Sequence, residues 1–273
     1  MKTILITGAT DGIGLVTAKK LAAQGNNLLV HGRSEVKLTA AVSQVSAAGA
    51  SSVRPYMADL SDLEATHRLA DDIEHDHEFI DVVINNAGVL KTPVAIAPNG
   101  LDMRFVVNTL APYLLTRRLL PSMPNTGRVV NLSSAAQAPV NLAALNGEQK
   151  IEDAMNAYAQ SKLAITMWSA HLAAELGADK PAIIAVNPGS LLASKMVKEG
   201  FGVAGKDLDI GADILIRASL DDAFKHASGK YFDNDSGAFS APHPDATAPD
   251  KCRQLVAHLD AILQRVLGDR SHS

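Results

Sequence analysis

Short apolar runs alternate with longer amphipathic stretches from the first residues of the chain. Runs at 3–7, 27–31, 53–56, 80–85, 128–133, 182–187 and 230–232 predict strands. Between them, apolar positions at helical spacing predict helices near 13–24, 34–48, 62–76, 101–120, 152–177 and 208–220. Uninterrupted runs such as Val82-Val83-Ile84 predict burial on both faces, as in a parallel sheet. The alternation therefore predicts an α/β fold. It is a doubly wound parallel sheet of about seven strands, with helices on both faces, in one domain over 1–273. In such a sheet, ligands bind beyond the C-terminal ends of the strands.

Three stretches break the pattern. Residues 137–151 separate a strand from the next long helix. Residues 190–207 are rich in Gly, Lys and Ser and are expected to form a substrate lid. Residues 235–249, rich in Pro, Asp and Ala, read as a surface loop. A last stripe, Leu255, Val256, Leu259, Ile262, Leu263, Val266 and Leu267, predicts a helix over 250–268 packed on the core. Asp260 and Asp269 mixed with Arg265 and Arg270 argue against a membrane-surface helix.

Composition narrows the function. A hydrophobic fraction of 47% fits a globular chain, and a net charge of −4 gives no basic footprint for nucleic acid. The one cysteine, Cys252, cannot form an internal disulfide and suits a reducing compartment. No leader peptide is visible, and no apolar run reaches the about 18 residues of a membrane span. These features predict a cytoplasmic protein without a membrane partner. No His or Cys arrangement predicts a metal; His75 and His77 read as surface residues.

The most specific local pattern is Thr7-Gly8-Ala9-Thr10-Asp11-Gly12-Ile13-Gly14, between a strand and a helix. Glycines let backbone approach a pyrophosphate, and the helix start offers free N–H groups and a positive dipole end. The next strand ends His31-Gly32-Arg33-Ser34, with no carboxylate to receive ribose hydroxyls. Arg33 can instead bind a 2′-phosphate and stack on adenine, which favours NADP over NAD. Asp11 argues the other way, because it places negative charge in the turn. At the third strand end, Asp59-Leu60 can hold the adenine edge, since Ser61 or Asp62 can cap the following helix. At the fourth, Asn86-Ala87-Gly88 either packs a ribose or makes a plain turn.

Ser133-Ser134 ends the fifth strand, and Tyr158 and Lys162 fall four apart on one helix face. A lysine beside a phenol favours phenolate, which would bring Tyr158 toward the range of a general acid/base. A serine hydroxyl nearby would hold a substrate oxygen. A Tyr–Lys pair alone is better explained as a surface contact; the glycine turn and strand-end clusters reverse that and favour catalysis.

In this order the motifs resemble the short-chain dehydrogenase/reductases, over nearly the whole chain. TGATDGIG matches the cofactor turn, Asn85-Asn86-Ala87-Gly88 a structural motif, and Tyr158-x-x-Ser161-Lys162 the catalytic motif. Leu101–Asn108, the wide gap from Ser134 to Tyr158, and Gly229-Lys230-Tyr231-Phe232 resemble the retinol-dehydrogenase-like and WW-domain-oxidoreductase-like members. The resemblance implies a Rossmann-type fold. It implies hydride transfer between a nicotinamide, NADP more than NAD, and a carbonyl or alcohol substrate. It assigns Tyr158 as proton donor, Ser134 rather than Ser133 to the substrate oxygen, Lys162 to Tyr158 and the nicotinamide ribose, and Asn108 to a proton relay. It places Pro188, Gly189 and Leu191 against the nicotinamide. Ala193 stands where the family usually has threonine, so Ser194 or Ser190 would hold the carboxamide. Leu142, Leu145, Leu191, Leu192, Met196, Val197 and Phe201 are expected either to line an apolar substrate pocket or to pack under the lid. Homodimers or homotetramers are common in the family, and a monomer is also compatible. A silent redox sensor of the same fold is the second reading, but such proteins typically lack the Tyr or Lys kept here.

Overall fold

A computed structural model of the chain describes residues 1–192 and 205–268. Its strands are β1 (Thr3–Ile6), β2 (Asn27–Gly32), β3 (Ser52–Met57), β4 (Val82–Asn85), β5 (Arg128–Leu132), β6 (Ala182–Asn187), β7 (Tyr231–Asp233) and β8 (Ala238–Ser240). They form one sheet in the order β3-β2-β1-β4-β5-β6-β7-β8. All pairs are parallel except β7 with β8. Chain direction across the sheet reverses at β1, so a crevice opens between the C-terminal ends of β1 and β4.

The apolar strands are buried on both faces, as their sequence predicts. Leu5, Leu29, Val83, Val129 and Ile183 join one core; Ile4, Ile6, Leu28, Val30, Ile84, Val130 and Ile184 join the other. The period-two alternation of strand side chains produces this division. Helices α1 (Gly12–Ala22), α2 (Glu35–Ala47) and α8 (Leu208–Leu220) cover the second face. Helices α3 (Leu63–Asp76), α5 (Ala111–Leu119), α7 (Ala154–Leu176) and α9 (Pro249–Leu267) cover the first. Two short helices, α4 (Met103–Phe105) and α6 (Leu142–Leu145), complete that side.

Helix α9 forms where the C-terminal stripe predicts it. It buries Cys252, Leu255, Val256, Leu259, Ile262, Leu263 and Leu267, at about 1.5–3 kcal/mol for each large apolar side chain. Its Asp260 accepts a hydrogen bond of 2.7 Å from buried Tyr113 of α5, whose ring meets Trp168 of α7 edge-on.

The stretch 235–249 corrects the sequence reading. It contains β8 and a 3-10 turn at Pro244–Thr247. Phe239 of β8 packs against Phe224 and Phe232, each pair of ring centroids 5.1 Å apart. A three-residue strand is held here by an aromatic cluster, and three residues are too few to show a period. The helical stretch at 101–120 is also not uniform: a π turn at Val106–Leu110 separates α4 from α5. Such turns often mark functional positions, and this one carries Asn108. Most of the lid expected at 190–207 lies outside the described residues.

Candidate active site

The glycine turn after β1 is fixed from three neighbouring strand ends. Asn86 Nδ2 donates to the carbonyls of Thr7 (2.8 Å) and Gly8 (3.1 Å). Thr7 Oγ1 accepts from the N–H groups of Asn86 and Ala87. A Cβ on Gly14 would lie 2.4 Å from both Gly8 O and Asn86 Nδ2, so only glycine permits this closure. Gly8 and Gly12 adopt φ of +64° and +54°. From β2, His31 Nδ1 accepts the Gly8 N–H at 3.1 Å, and His31 Nε2 donates to Ala58 O at 3.1 Å. Burial holds this imidazole neutral and drives its pKa down to about 4. Asn86 thus acts on the turn itself rather than as a loose loop residue.

The turn leaves the start of α1 open toward the cleft. Asp11 caps the helix through the Gly12 N–H at 2.8 Å. The first-turn N–H groups of Ile13 and Gly14 meet no acceptor among the described residues. Open donors on a helix N-terminus suit a pyrophosphate. Thr10 packs on Gly32, where a Cβ would fall 2.3 Å from Thr10 Cγ2.

At the C-terminal end of β2, Arg33 is exposed and has no ion-pair partner among the described residues. Ser34 precedes α2 without a side-chain capping bond, so its hydroxyl is free of that duty. Lys37, which the sequence reading passed over, also lines the cleft and pairs with Asp11 at 3.4 Å. A second basic residue four positions after Arg33 was the available signal. Asp11 is therefore not an uncompensated negative charge. Asp62 caps α3 through Glu64 and Ala65, while the Asp59 carboxylate accepts the Ser61 N–H and its carbonyl the Asp62 N–H; Asp59 and Leu60 border the cleft.

These residues line one cleft of about 570 Å³, which continues past Ala87 and Gly88 to Tyr158, Lys162 and Pro188. Helix α7, capped by Asp153, carries the Tyr–Lys pair. Lys162 Nζ lies 5.7 Å from the Tyr158 ring centroid and donates to Leu132 O at 2.6 Å. Burial lowers the ammonium pKa to about 8. Burial also raises the Tyr158 phenol, opposed by a hydrogen bond from Ser134. The phenol therefore stands above its ordinary value, where the sequence reading expects Lys162 to lower it.

Ser133 and Ser134 have different surroundings. Ser133 Oγ is buried between Lys162 O (3.0 Å) and Thr166 Oγ1 (2.7 Å). Ser134 Oγ accepts from Ala136 N, and its carbonyl receives the Tyr231 hydroxyl and the Gln137 amide, each at 3.0 Å. Asn108 grips Val89 by both backbone groups, at 2.8 and 2.9 Å, and donates to Ser161 Oγ at 2.9 Å. It braces the loop after β4 against α7. Neither Asn108 nor Ser134 lines the cleft itself, although their neighbours Val107 and Ser133 do.

After β6, Pro188 reaches the cleft, and Gly189 and Leu191 follow at φ of +121° and +55°. Ser190 is committed elsewhere: its N–H and hydroxyl both go to Asp235. It is not free for a carboxamide. Ser194, Ala193, Met196, Val197 and Phe201 lie outside the described residues. Leu145 and Leu192 are buried in packing and Leu142 is half-buried against the core, the packing alternative for these residues. Leu191 remains 43% exposed. No group of His, Cys, Asp and Glu side chains among the described residues could hold a metal, and no described helix is long and apolar enough to cross a membrane.

Known proteins are similar to this chain in sequence and fold. Human retinol dehydrogenase 13 is 30% identical over 275 positions, covering 94% of this chain and 82% of that protein. An uncharacterized protein from Mycobacterium paratuberculosis superposes with a TM-score of 0.81 at 28% identity, covering 96% of this chain and 93% of that one. A short chain dehydrogenase from Shigella flexneri, solved with NADP, gives 0.67 at 26% identity, with 86% and 97% covered. The short chain dehydrogenase family model matches residues 2–203, which contain the glycine turn, the Asn86 brace and the Tyr158–Lys162 pair. This chain belongs to the short-chain dehydrogenase family, NAD(P)-dependent oxidoreductases acting at CH–OH and C=O groups.

Proposed function

We propose that this protein is an NADP(H)-preferring reductase of apolar carbonyl compounds, running in reverse on the alcohols. The observation that carries this reading is one continuous cleft joining the open start of α1, Arg33, which has no ion-pair partner among the described residues, and the pair of half-buried Tyr158 and buried Lys162. The residues fit a nicotinamide dinucleotide: Ile13 and Gly14 N–H groups for the pyrophosphate, and Arg33, Ser34 and Lys37 for a 2′-phosphate. Asp59 and Leu60 suit adenine, and Asn86, Ala87 and Gly88 a ribose edge. Lys162 suits the second ribose, and Pro188, Gly189 and Leu191 the nicotinamide. When bound, the nicotinamide supplies the hydride.

The side chains do the rest. Tyr158, its phenol held protonated by burial, donates a proton to the carbonyl oxygen. Ser134 hydrogen-bonds that oxygen and fixes its position. Lys162 places positive charge near the phenolate that the donation leaves. Asn108 holds Val89 and the π turn in place, keeping a water path toward Lys162 for the return of the proton. Support for an apolar substrate comes from exposed Leu191 beside Pro188, and from a relative named for retinol, a lipophilic alcohol.

Fluorescence titration with NADPH and NADH tests the assignment. Wild type should bind NADPH more tightly, and Arg33→Ala should remove about 1.5–3 kcal/mol of NADPH binding while leaving NADH unchanged. Equal affinities in wild type would remove the NADP assignment. Binding of neither would remove the oxidoreductase reading.

A further inference from the structure

The run Asp233-Asn234-Asp235, from the last residue of β7 into the turn before β8, belongs to no motif of the reaction. Yet all three side chains close on the loop that leaves β6. Asn187 Nδ2 donates to Asp233 Oδ1 at 2.8 Å and to Asp235 Oδ2 at 2.9 Å. Asn234 Nδ2 donates to Pro188 O at 2.9 Å and to Ile210 O at 3.2 Å. Asp235 takes the Ser190 N–H at 2.9 Å and the Ser190 hydroxyl at 2.5 Å. Lys206 Nζ stands 4.0 Å from the same carboxylate, and its backbone N–H donates to Leu191 O at 2.7 Å.

The loop so gripped is held in an unfavourable shape. Leu191 is the one described non-glycine residue at positive φ. A side chain in that region persists only where its surroundings over-determine the backbone. Here the determination comes from residues distant in sequence, one of them on another strand connection. Ser190 on one side of Leu191 is fixed by Asp235, and Leu191 O itself is fixed by Lys206.

We propose that Asp235 is a positioning residue for the nicotinamide end of the cleft. Through Ser190 and Asn187 it holds Pro188 to Leu191 in the shape that receives the nicotinamide. The inference rests on the nicotinamide-nucleotide reading above. It predicts an effect confined to one half of the dinucleotide, which a general loss of stability would not produce.

The test compares NADPH with 2′,5′-ADP, which fills only the adenosine end. Binding of both is titrated to wild type, Asp235→Ala, Asp235→Asn, Ser190→Ala and the Asp235→Ala/Ser190→Ala double variant. Asp235→Ala should weaken NADPH about tenfold and leave 2′,5′-ADP within about twofold. Asp235→Asn, which keeps an acceptor for Ser190, should lose about threefold. The double variant should be no weaker than Asp235→Ala alone, because Asp235→Ala already removes the partner of the Ser190 hydroxyl. Unchanged NADPH affinity in Asp235→Ala overturns the proposal, as does an equal loss for both ligands. Binding of neither ligand by wild type would instead refute the nucleotide reading, and the positioning role with it.

Discussion

The two ends of the cleft are held by different chemistry. At the proposed adenosine end, the glycine turn is braced by neutral groups, buried Thr7 and the His31 imidazole with half-buried Asn86, all at the ends of central strands β1, β2 and β4. At the nicotinamide end, the loop after β6 is braced by carboxylates near the sheet edge, with Asp235 partly exposed and Leu191 at positive φ. The first brace is part of the core and shares its stability. The second is a polar clamp that can be altered without opening the core. A dinucleotide spanning both ends would meet a preformed cradle on one side and an adjustable loop on the other.

The largest expected effect breaks the reaction end alone. Tyr158→Phe should lower turnover of a carbonyl substrate by about 10²–10⁴-fold, while NADPH affinity stays within about twofold; parallel kinetics and titration decide. If affinity fell with turnover, the two ends would not be separable.

Acid should strike the adenosine end first. The folded His31 pKa, about 4, lies below the ordinary 6.5, so the unfolded chain binds the proton first as pH falls. The stabilisation is complete above pH 6.5 and lost toward pH 4, by about 2–3 kcal/mol at pH 4.5. Urea unfolding at pH 7 and 4.5 should show this in wild type and less of it in His31→Gln. Identical losses would assign the acid sensitivity to other groups.

Alkali should act at the reaction end. Lys162, with a pKa of about 8, loses its charge above that pH, and kcat/KM for carbonyl reduction should decline there by up to about tenfold per pH unit. A profile level to pH 10 would mean that the ammonium does not assist Tyr158.

Smaller effects sharpen the contrast. Lys37→Ala should weaken NADPH by about threefold and leave NADH unaffected, because an exposed charge acts on the 2′-phosphate through solvent. At Leu191, Gly should change stability by less than about 1 kcal/mol and β-branched Val should cost about 1 kcal/mol, measured by thermal unfolding.

The adenosine end was the more legible in the sequence. Its parts are local: an apolar strand, glycines at fixed spacing, and Arg33 directly after β2. The spacing of Tyr158 and Lys162 was equally local, and both reach the cleft. What escaped is non-local. His31 reads as one more strand residue until Gly8 and Ala58 are brought to it. Asp235 reads as part of a polar tail until β7 pairs beside β6. The π turn at Val106–Leu110 leaves the helical pattern nearly intact, since one extra residue in a turn hardly changes a short apolar period. The behaviour of Tyr158 depends on burial, which neighbouring residues in sequence do not reveal.

Helix α9 has a consequence for synthesis. The core on the α1, α2 and α8 face draws its last buried residue from Phe232, whereas the opposite core takes seven from α9. Translation therefore supplies every buried component of one face while the other still lacks its closing helix. During that interval Tyr113 has no Asp260 to receive its hydroxyl, and the apolar surfaces of α5 and α7 stand uncovered. A nascent chain at that stage is a natural client for chaperones that bind exposed apolar helices.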